Sequence, residues 1–195
     1  MEAVTAFVLA GGKGSRMGCD KALLDFAGRP LLRHALELAS AVTADVRIVG
    51  DPAKYAAFGA IIADVYSERG PLGGIHSALL NSGTDLNLVL ATDLPFLKPS
   101  FLRYLIVTGQ ATDALVTVPQ VGRYFEPLCA VYRKQFSELV QESLEKGKNK
   151  VDALFAETPI RIITEEEIVN AGFDSAMFRN LNSPEDLRQA EQELR

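Results

Sequence analysis

The amino-acid sequence predicts an α/β fold built on a largely parallel β-sheet. Residues 4–10 and 86–91 are short, almost wholly apolar runs, which is typical of strands buried on both faces. Segments with an apolar residue every three to four positions lie between such runs, and this spacing predicts helices. The resulting strand–helix–strand order favours parallel strands joined by right-handed crossovers. In such sheets ligands bind at the carboxyl ends of the strands.

The elements follow one another regularly along the chain. Strands are expected at 4–10, 45–49, 60–63, 86–91, 113–118, 126–132 and 160–164. A first helix is expected to start at Gly28-Arg29-Pro30 and to continue to Ala39. Further helices are expected at 54–58, 75–80 and 134–144, and directly after Thr164 and Ser183. Ser183 is a favourable N-cap, Pro184 suits the first helical position, and Asp186 occupies the capping-box position.

Length and composition exclude several classes of protein. A chain of 195 residues fits a single domain over 1–195, and a pI near 5.1 without a basic stripe argues against a nucleic-acid substrate. No apolar run approaches the roughly 18 residues that span a membrane, and Glu2 is unlike the start of a signal peptide. Cys19, Cys129, His34 and His76 lack the spacing of a zinc site. These observations predict a cytoplasmic protein.

A glycine-rich loop follows the first strand. Between Gly11 and Lys21 it contains four glycines and three cations, including Lys13 and Arg16. Glycines let backbone N–H groups approach an anion closely, and the cations neutralise its charge. Because the whole chain has a formal net charge of −5, the loop is a local positive region on an acidic protein. It therefore predicts a binding site for the phosphate chain of a nucleotide.

Two common phosphate-binding motifs do not fit this loop. A P-loop requires G-x-x-x-x-G-K-[ST], and no glycine here completes that spacing. The dinucleotide fingerprint G-x-G-x-x-G starts at Gly12 and Gly14, but Met17 stands where its third glycine belongs. A plain strand-to-loop connection remains as an alternative, although it would not require so many cations.

Carboxylates follow the predicted strands where a ligand would bind. Asp64 directly follows a predicted strand, and Asp51 and Asp93 each follow one after a single intervening residue. A carboxylate where a buried strand ends is suited to hold Mg²⁺ against phosphates, and such sites use only one or two protein carboxylates. We therefore predict that Asp93 is the metal ligand; the alternative is that it caps the following turn.

A second glycine pair, Gly73-Gly74, precedes the helix expected at 75–80. Their N–H groups could approach a base or sugar, although a plain turn before the helix would also explain them.

Several segments together resemble a known family. The stretch Leu9-Ala10-Gly11-Gly12, Arg16-Met17-Gly18, Asp20-Lys21 and Leu23 is similar to the nucleotidyltransferase signature L-A-G-G-x-x-x-R-M-G-x-D-K-x-L. The segments 70–75, 93–95, 126–133 and 180–187 extend the similarity, which is greatest to the molybdenum cofactor guanylyltransferases. This resemblance implies a three-layer α/β sandwich with a mostly parallel, Rossmann-like sheet of the nucleotidyltransferase type.

The resemblance and the strand ends together assign roles to individual residues. The residues expected to act in catalysis are Arg16, Lys21 and Asp93. Those expected to bind GTP are Leu9, Ala10, Gly11, Gly12, Lys21, Asp51, Asp64, Gly73 and Asp93. The resemblance of this segment to the family's N-x-N ending implies that Asn180 and Asn182 bind the pterin. Their alternation supports this expectation, since alternate residues of an extended segment point the same way. Mg²⁺ is the expected cofactor, on Asp93.

The implied activity is transfer of GMP from GTP to molybdopterin, with residues 1–100 as the nucleotide-binding half and 101–195 as the acceptor-binding half. Transient contacts with molybdoenzymes or their chaperones would follow from it; nucleic acid and membranes are not expected partners. A related cytidylyl- or sugar-phosphate nucleotidyltransferase is the alternative within the class. An NAD-dependent oxidoreductase would need a glycine at position 17, where this chain has Met. A regulator without catalysis would not need Asp93.

Two positions depart from the pattern of the family. Asp51 ends the segment Val49-Gly50-Asp51, where several relatives carry asparagines that contact the ribose. Glu126 precedes Pro127, where His or Gln is also common on the pterin side.

Overall fold

A central sheet organises the molecule in the computed structural model, which describes residues 3–11, 20–66 and 69–193. Its strands are β1 (Val4–Leu9), β4 (Asp45–Val49), β5 (Ile61–Ile62), β6 (Leu86–Ala91), β7 (Val116–Val121), β8 (Tyr124–Phe125), β9 (Cys129–Arg133) and β10 (Ile160–Thr164). A separate two-stranded hairpin consists of β2 (Asp25–Phe26) and β3 (Arg29–Pro30). The predicted roles of Gly12 and Arg16 lie outside the described residues.

Helices connect the strands. They are α1 (Leu31–Ser40), α2 (Pro52–Tyr55), α3 (Pro71–Leu80), α4 (Pro99–Gln110), α5 (Phe136–Glu145), α6 (Val151–Phe155), α7 (Glu165–Asn170) and α8 (Pro184–Glu193). Short 3₁₀ helices lie at Lys21–Leu23, Ala56–Phe58 and Ser175–Phe178. None of the described helices is long and apolar enough to cross a membrane.

The sheet is mostly parallel, as predicted. Its strand order is β10-β7-β9-β6-β1-β4-β5, with β8 forming a hairpin on β7. Strands β6, β1, β4 and β5 are mutually parallel, and β10 is parallel to β7. Only β9 runs antiparallel between β6 and β7 among the paired strands of this path.

Both faces of the sheet are covered, which makes the fold a three-layer sandwich. Along β6, Leu88 and Leu90 pack in one cluster with α1 and α4, whereas Val89 packs in another with α3 and α5. The two-residue alternation of a strand thus supplies both cores, and it explains why this run is apolar throughout.

The structure corrects several predicted boundaries. The first helix starts at Leu31 and not at Gly28-Arg29-Pro30, because Arg29 and Pro30 pair with β2 in the hairpin. Helix α3 begins at Pro71, so Gly73 and Gly74 lie in its first turn and do not precede it. Proline is favoured there because its missing N–H has no helical partner and its φ is already helical. The strands expected at 113–118 and 126–132 begin later, at Val116 and Cys129. No element was expected between Pro95 and Asp113, where α4 lies.

The C-terminal segment returns to the end of β6 and to the β2–β3 hairpin. The backbone N–H of Leu181 donates to the carbonyl oxygen of Asp93 at 3.1 Å. Ser183 and Asp186 form the predicted capping box, in which Asp186 N donates to Ser183 Oγ at 3.1 Å and Ser183 N to Asp186 Oδ2 at 2.9 Å. Apolar residues of α8 then pack with Phe26 and Leu31. This return places residues 180–182 beside the end of β6.

Candidate active site

A cleft of about 820 Å³ opens at the carboxyl ends of the parallel strands. It is lined by the ends of β1, β4 and β6, by the start of α3 and by the segment that carries Lys21. The lining includes Leu9, Ala10, Gly11, Lys21, Asp51, Asp64, Gly74, Thr92, Asp93 and Leu128. Most of the residues predicted to bind GTP are therefore brought together.

Strand register explains this convergence. Leu9 of β1 is opposite Val49 of β4 on one side and Ala91 of β6 on the other. The three strands therefore end at one level, and whatever follows them emerges at one edge. The polar residues that follow, Asp51 and Asp93, consequently face a common space.

The strongest polar contacts of the cleft are between Lys21 and Asp93. Lys21 Nζ lies 2.6 Å from Asp93 Oδ2, with the side chains 25% and 20% exposed. The same Nζ donates to Asn182 Oδ1 at 2.7 Å. With the Asn180 amide nitrogen facing Asp93, that nitrogen lies 3.2 and 3.3 Å from the two carboxylate oxygens. Four residues from three distant segments thus form one cluster, which we call the Lys21–Asp93 cluster.

Asp51 and Asp64 line the cleft but have structural partners of their own. Asp51 caps α2 by accepting from the backbone N–H of Ala53 at 2.9 Å. Asp64 Oδ1 accepts from the Ser77 hydroxyl at 3.0 Å and from the Tyr66 N–H at 2.9 Å. Both carboxylates retain free lone pairs toward the cleft, because a carboxylate accepts about four hydrogen bonds.

Gly73 and Gly74 differ in position. A Cβ on Gly73 would lie 2.6 Å from the carbonyl oxygen of Tyr66, and Gly73 does not line the cleft. Gly74 does line it, and a Cβ there would lie 2.8 Å from a methyl carbon of Leu9. The need for glycine at both positions therefore comes from close packing of α3 against Tyr66 and β1.

Glu126 lies close enough to the cleft for the charge of Asp93 to affect its carboxyl. The neighbouring backbone is fixed to the end of β6, since Ala91 N donates to the carbonyl oxygen of Leu128 at 2.8 Å. Burial, reinforced by the negative charges of Asp93 and Asp152, raises the pKa of the Glu126 carboxyl to about 7. Because part of this shift comes from the negative charge of Asp93, a cation bound at Asp93 would lower the pKa of Glu126.

The described residues contain no group of three or more His, Cys, Asp or Glu side chains that could enclose a metal ion. The hard oxygen ligand available in the Lys21–Asp93 cluster is the partly exposed carboxylate of Asp93. Such a donor set fits a cation like Mg²⁺, which keeps several waters and is held chiefly by substrate phosphates.

The sequence patterns did not single out Lys54 and Tyr55, which also line the cleft. Tyr55 is 1% exposed, and its hydroxyl donates to Asp20 Oδ2 at 2.7 Å. Lys54 Nζ lies 3.3 Å from the same oxygen. No local signal identifies these residues, because their partner lies more than thirty positions away in the sequence.

Comparisons with known proteins agree with this geometry. The sequence profile of the MobA-like NTP transferase domain family matches residues 6–161. A molybdenum cofactor guanylyltransferase of Desulfosudis oleivorans is 33% identical over 195 residues, which cover 98% of this chain and 96% of that protein.

Solved structures are also similar. Molybdopterin-guanine dinucleotide biosynthesis protein A from Archaeoglobus fulgidus superposes with a TM-score of 0.85 at 26% identity, covering 97% of this chain and 98% of the other. A CMP:2-keto-3-deoxy-manno-octonic acid synthetase complexed with CTP shares the fold, with a TM-score of 0.76 at 15% identity over 98% of both chains. The matched profile, which spans most of the chain and contains most of β1 and all of β4 and β6, places this chain in the MobA-like NTP transferase domain family.

Proposed function

We propose that the protein transfers GMP from GTP to molybdopterin and releases pyrophosphate. The observation that carries the proposal is the Lys21–Asp93 cluster, which places a cation and a carboxylate 2.6 Å apart at the mouth of the cleft. A nucleoside triphosphate requires both a positive side chain for its phosphate oxygens and a carboxylate for the cation that accompanies it. The relatives named as guanylyltransferases support GTP as that nucleotide.

The reaction needs no protein nucleophile. An oxygen of the molybdopterin phosphate, anionic at neutral pH, attacks the α-phosphorus of GTP. A bond forms between that oxygen and phosphorus, and the bond from phosphorus to the oxygen bridging to the β-phosphate breaks, so pyrophosphate leaves with the electron pair. Positioning and charge stabilisation therefore suffice.

Different residues position the substrates and stabilise the charge. Lys21, with Arg16 of the glycine-rich loop, neutralises the charge that develops on the leaving phosphates, while Leu9, Ala10, Gly11 and Gly12 bring backbone close to the nucleotide. Asp51 and Asp64 hold the ribose and base side of the cleft. A divalent cation, for which we propose Mg²⁺ on Asp93, would supply electrostatic stabilisation of the phosphates.

The acceptor binds on the other side of the Lys21–Asp93 cluster. Asn180 and Asn182 contribute amide groups to that side, and both already contact the residues assigned to the phosphates. We therefore place the pterin phosphate next to the C-terminal segment 180–182, where it can approach the α-phosphorus.

Thermal unfolding in the presence of Mg²⁺ and each nucleoside triphosphate tests the nucleotide. GTP is expected to raise the melting temperature more than CTP, ATP or UTP, because a ligand that binds only the folded state stabilises it. A larger shift with CTP would favour a cytidylyltransferase.

Pyrophosphate release from GTP and molybdopterin tests the reaction. Lys21→Ala is expected to lower turnover about 10²-fold, the typical effect of losing one preorganised charge contact to a transition state. Lys98→Ala is a matched control, since Lys98 is exposed and lies away from the cleft lining. Wild-type turnover in Lys21→Ala would contradict the assignment of the loop.

A further inference from the structure

Tyr55 is a buried polar group that the proposed chemistry does not use. Its side chain is 1% exposed, and its hydroxyl donates to Asp20 Oδ2 at 2.7 Å. Burial and the neighbouring Asp20 and Asp51 charges raise the pKa of the Tyr55 hydroxyl, so it stays a neutral hydrogen-bond donor. A phenylalanine would fill the same space without this donor.

Asp20 connects Tyr55 to the segment that carries Lys21. Its Oδ1 accepts from the backbone N–H of Ala22 at 3.2 Å and thereby caps the 3₁₀ helix Lys21–Leu23. Its Oδ2 accepts from Tyr55 and from Lys54 Nζ. Both carboxylate oxygens are thus used, one on the backbone next to Lys21 and the other on α2.

The Tyr55 ring is closely packed against the end of β1. A Cβ on Gly50 would lie 2.9 Å from Cε2 of the Tyr55 ring and 2.1 Å from the carbonyl oxygen of Ala10. The ring therefore lies where only a glycine fits between it and the end of β1. Asp51 also caps α2, which carries Tyr55 at its last residue.

Lysine positions its charge poorly without such support. Its side chain has four rotatable bonds, so the place of Nζ depends on how well the backbone is fixed and on the groups that Nζ meets. The groups it meets, Asp93 and Asn182, belong to other segments. The backbone of Lys21 is held through the Asp20 cap.

We propose that Tyr55 is a positioning residue for nucleotidyl transfer, which acts through Asp20 to fix the backbone of Lys21 against Asp93. The inference rests on the proposed function of the same site. The Tyr55 hydroxyl itself is engaged by Asp20, so its effect on the cleft passes through that carboxylate. Asp20 in turn holds the backbone beside Lys21, whose Nζ lies 2.6 Å from Asp93.

Single-turnover GMP transfer by Tyr55→Phe tests this role. The variant is expected to lose about tenfold or more in rate, because small misplacements of a catalytic group are costly. Its KM for molybdopterin and its melting temperature should stay near those of the wild-type protein. Thr43→Val is the matched control: it removes a hydroxyl that donates to Val4 O at 2.6 Å, at the opposite end of β1.

A double-mutant cycle with Lys21→Ala separates positioning from a general structural effect. If Tyr55 acts through Lys21, Tyr55→Phe will slow the Lys21→Ala enzyme by less than twofold, whereas independent effects would multiply. Asp20→Ala, at a partly exposed position, should reproduce the loss and should not add to it. It provides the same test should Tyr55→Phe fail to fold.

The outcomes are distinct. An unchanged rate in Tyr55→Phe, or a full tenfold loss in the Lys21→Ala background, overturns the positioning role while leaving GMP transfer intact. A wild-type protein that binds GTP but transfers no GMP overturns the proposed function, and the positioning role with it.

Discussion

Asp93 contacts both the segment that carries Lys21 and the C-terminal segment 180–182. Its carboxylate contacts Lys21 and Asn180, and its carbonyl oxygen accepts from Leu181. A side chain at such a junction can respond both to the nucleotide and to the acceptor.

Asp93→Asn should abolish metal-dependent GMP transfer while preserving the fold, because β6 itself is apolar and stays buried. The measurement is turnover against Mg²⁺ concentration, with circular dichroism to verify folding. Asp64→Asn is the comparison variant, since Asp64 accepts from Ser77 and Tyr66. If metal dependence persisted in Asp93→Asn and disappeared in Asp64→Asn, Asp64 and not Asp93 would be the metal ligand.

Replacing both Asn180 and Asn182 with Ala should weaken molybdopterin binding and leave GTP affinity near that of the wild type. The loss is expected to be about 1–3 kcal/mol if the amides leave buried partners unsatisfied. The capping box at Ser183 remains, so stability should change little. Separate titrations with GTP and molybdopterin decide the matter, since weaker GTP binding with unchanged pterin binding would reverse the two assignments.

Glu126 should make stability depend on pH. Its pKa is raised from 4.5 to about 7 in the folded protein, so the unfolded chain releases this proton first as the pH rises. The folded state therefore loses stability between about pH 4.5 and 7, by on the order of 1–2 kcal/mol, because solvent screening at this partly exposed side chain reduces the roughly 1.4 kcal/mol expected per pKa unit. In urea unfolding with EDTA, Glu126→Gln should be more stable than the wild type at pH 8 and equal to it at pH 4. Equal stabilities at pH 8 would contradict the raised pKa.

Among individual residues, those at strand ends could be predicted and those that act through distant partners could not. Asp51, Asp64 and Asp93 follow apolar runs, and register brings them to one edge as expected. The contact between Tyr55 and Asp20 depends instead on the packing of α2 beneath Gly50. No spacing in the sequence encodes that packing.

At the scale of elements, the glycine that ends β4 is the most constrained feature. Gly50→Ala would place a Cβ 2.1 Å from the carbonyl oxygen of Ala10, which cannot move without disturbing β1. We expect a destabilisation of about 3 kcal/mol or more, at the upper end of overpacking effects. Gly83→Ala, where a Cβ meets nothing within 4 Å, should change the free energy of unfolding by less than about 0.5 kcal/mol. Similar midpoints of denaturation for the two variants would refute the close approach.

Elements with a strong local pattern were predictable. Strands β4 and β10 match their predicted bounds because the apolar runs end sharply at Gly50 and Thr164. Helix α4 was missed because its second half contains Ile106, Val107, Thr108 and Gly109, which have low helix propensity. Burial of its other face, including Phe101 and Leu105, overrides that propensity.

At the scale of the whole molecule, the two predicted halves share one sheet and one site. Strand β9 of the second half pairs with β6 of the first. Lys21 and Asn182, from opposite ends of the chain, share a hydrogen bond. The division into a nucleotide half at 1–100 and an acceptor half at 101–195 remains a prediction. Titrations of the variant with Ala at positions 180 and 182, with GTP and with molybdopterin separately, test it.

The return of the C-terminal segment has a consequence for biosynthesis. The contact between Lys21 and Asn182 spans 161 positions, so it cannot form until Asn182 has been synthesised. Contacts this distant in sequence carry a large loop-closure entropy, and proteins rich in them fold slowly. We therefore expect this contact to form after β1 has paired with β4, whose partners, such as Thr5 and Asp45, lie much nearer to each other in the sequence.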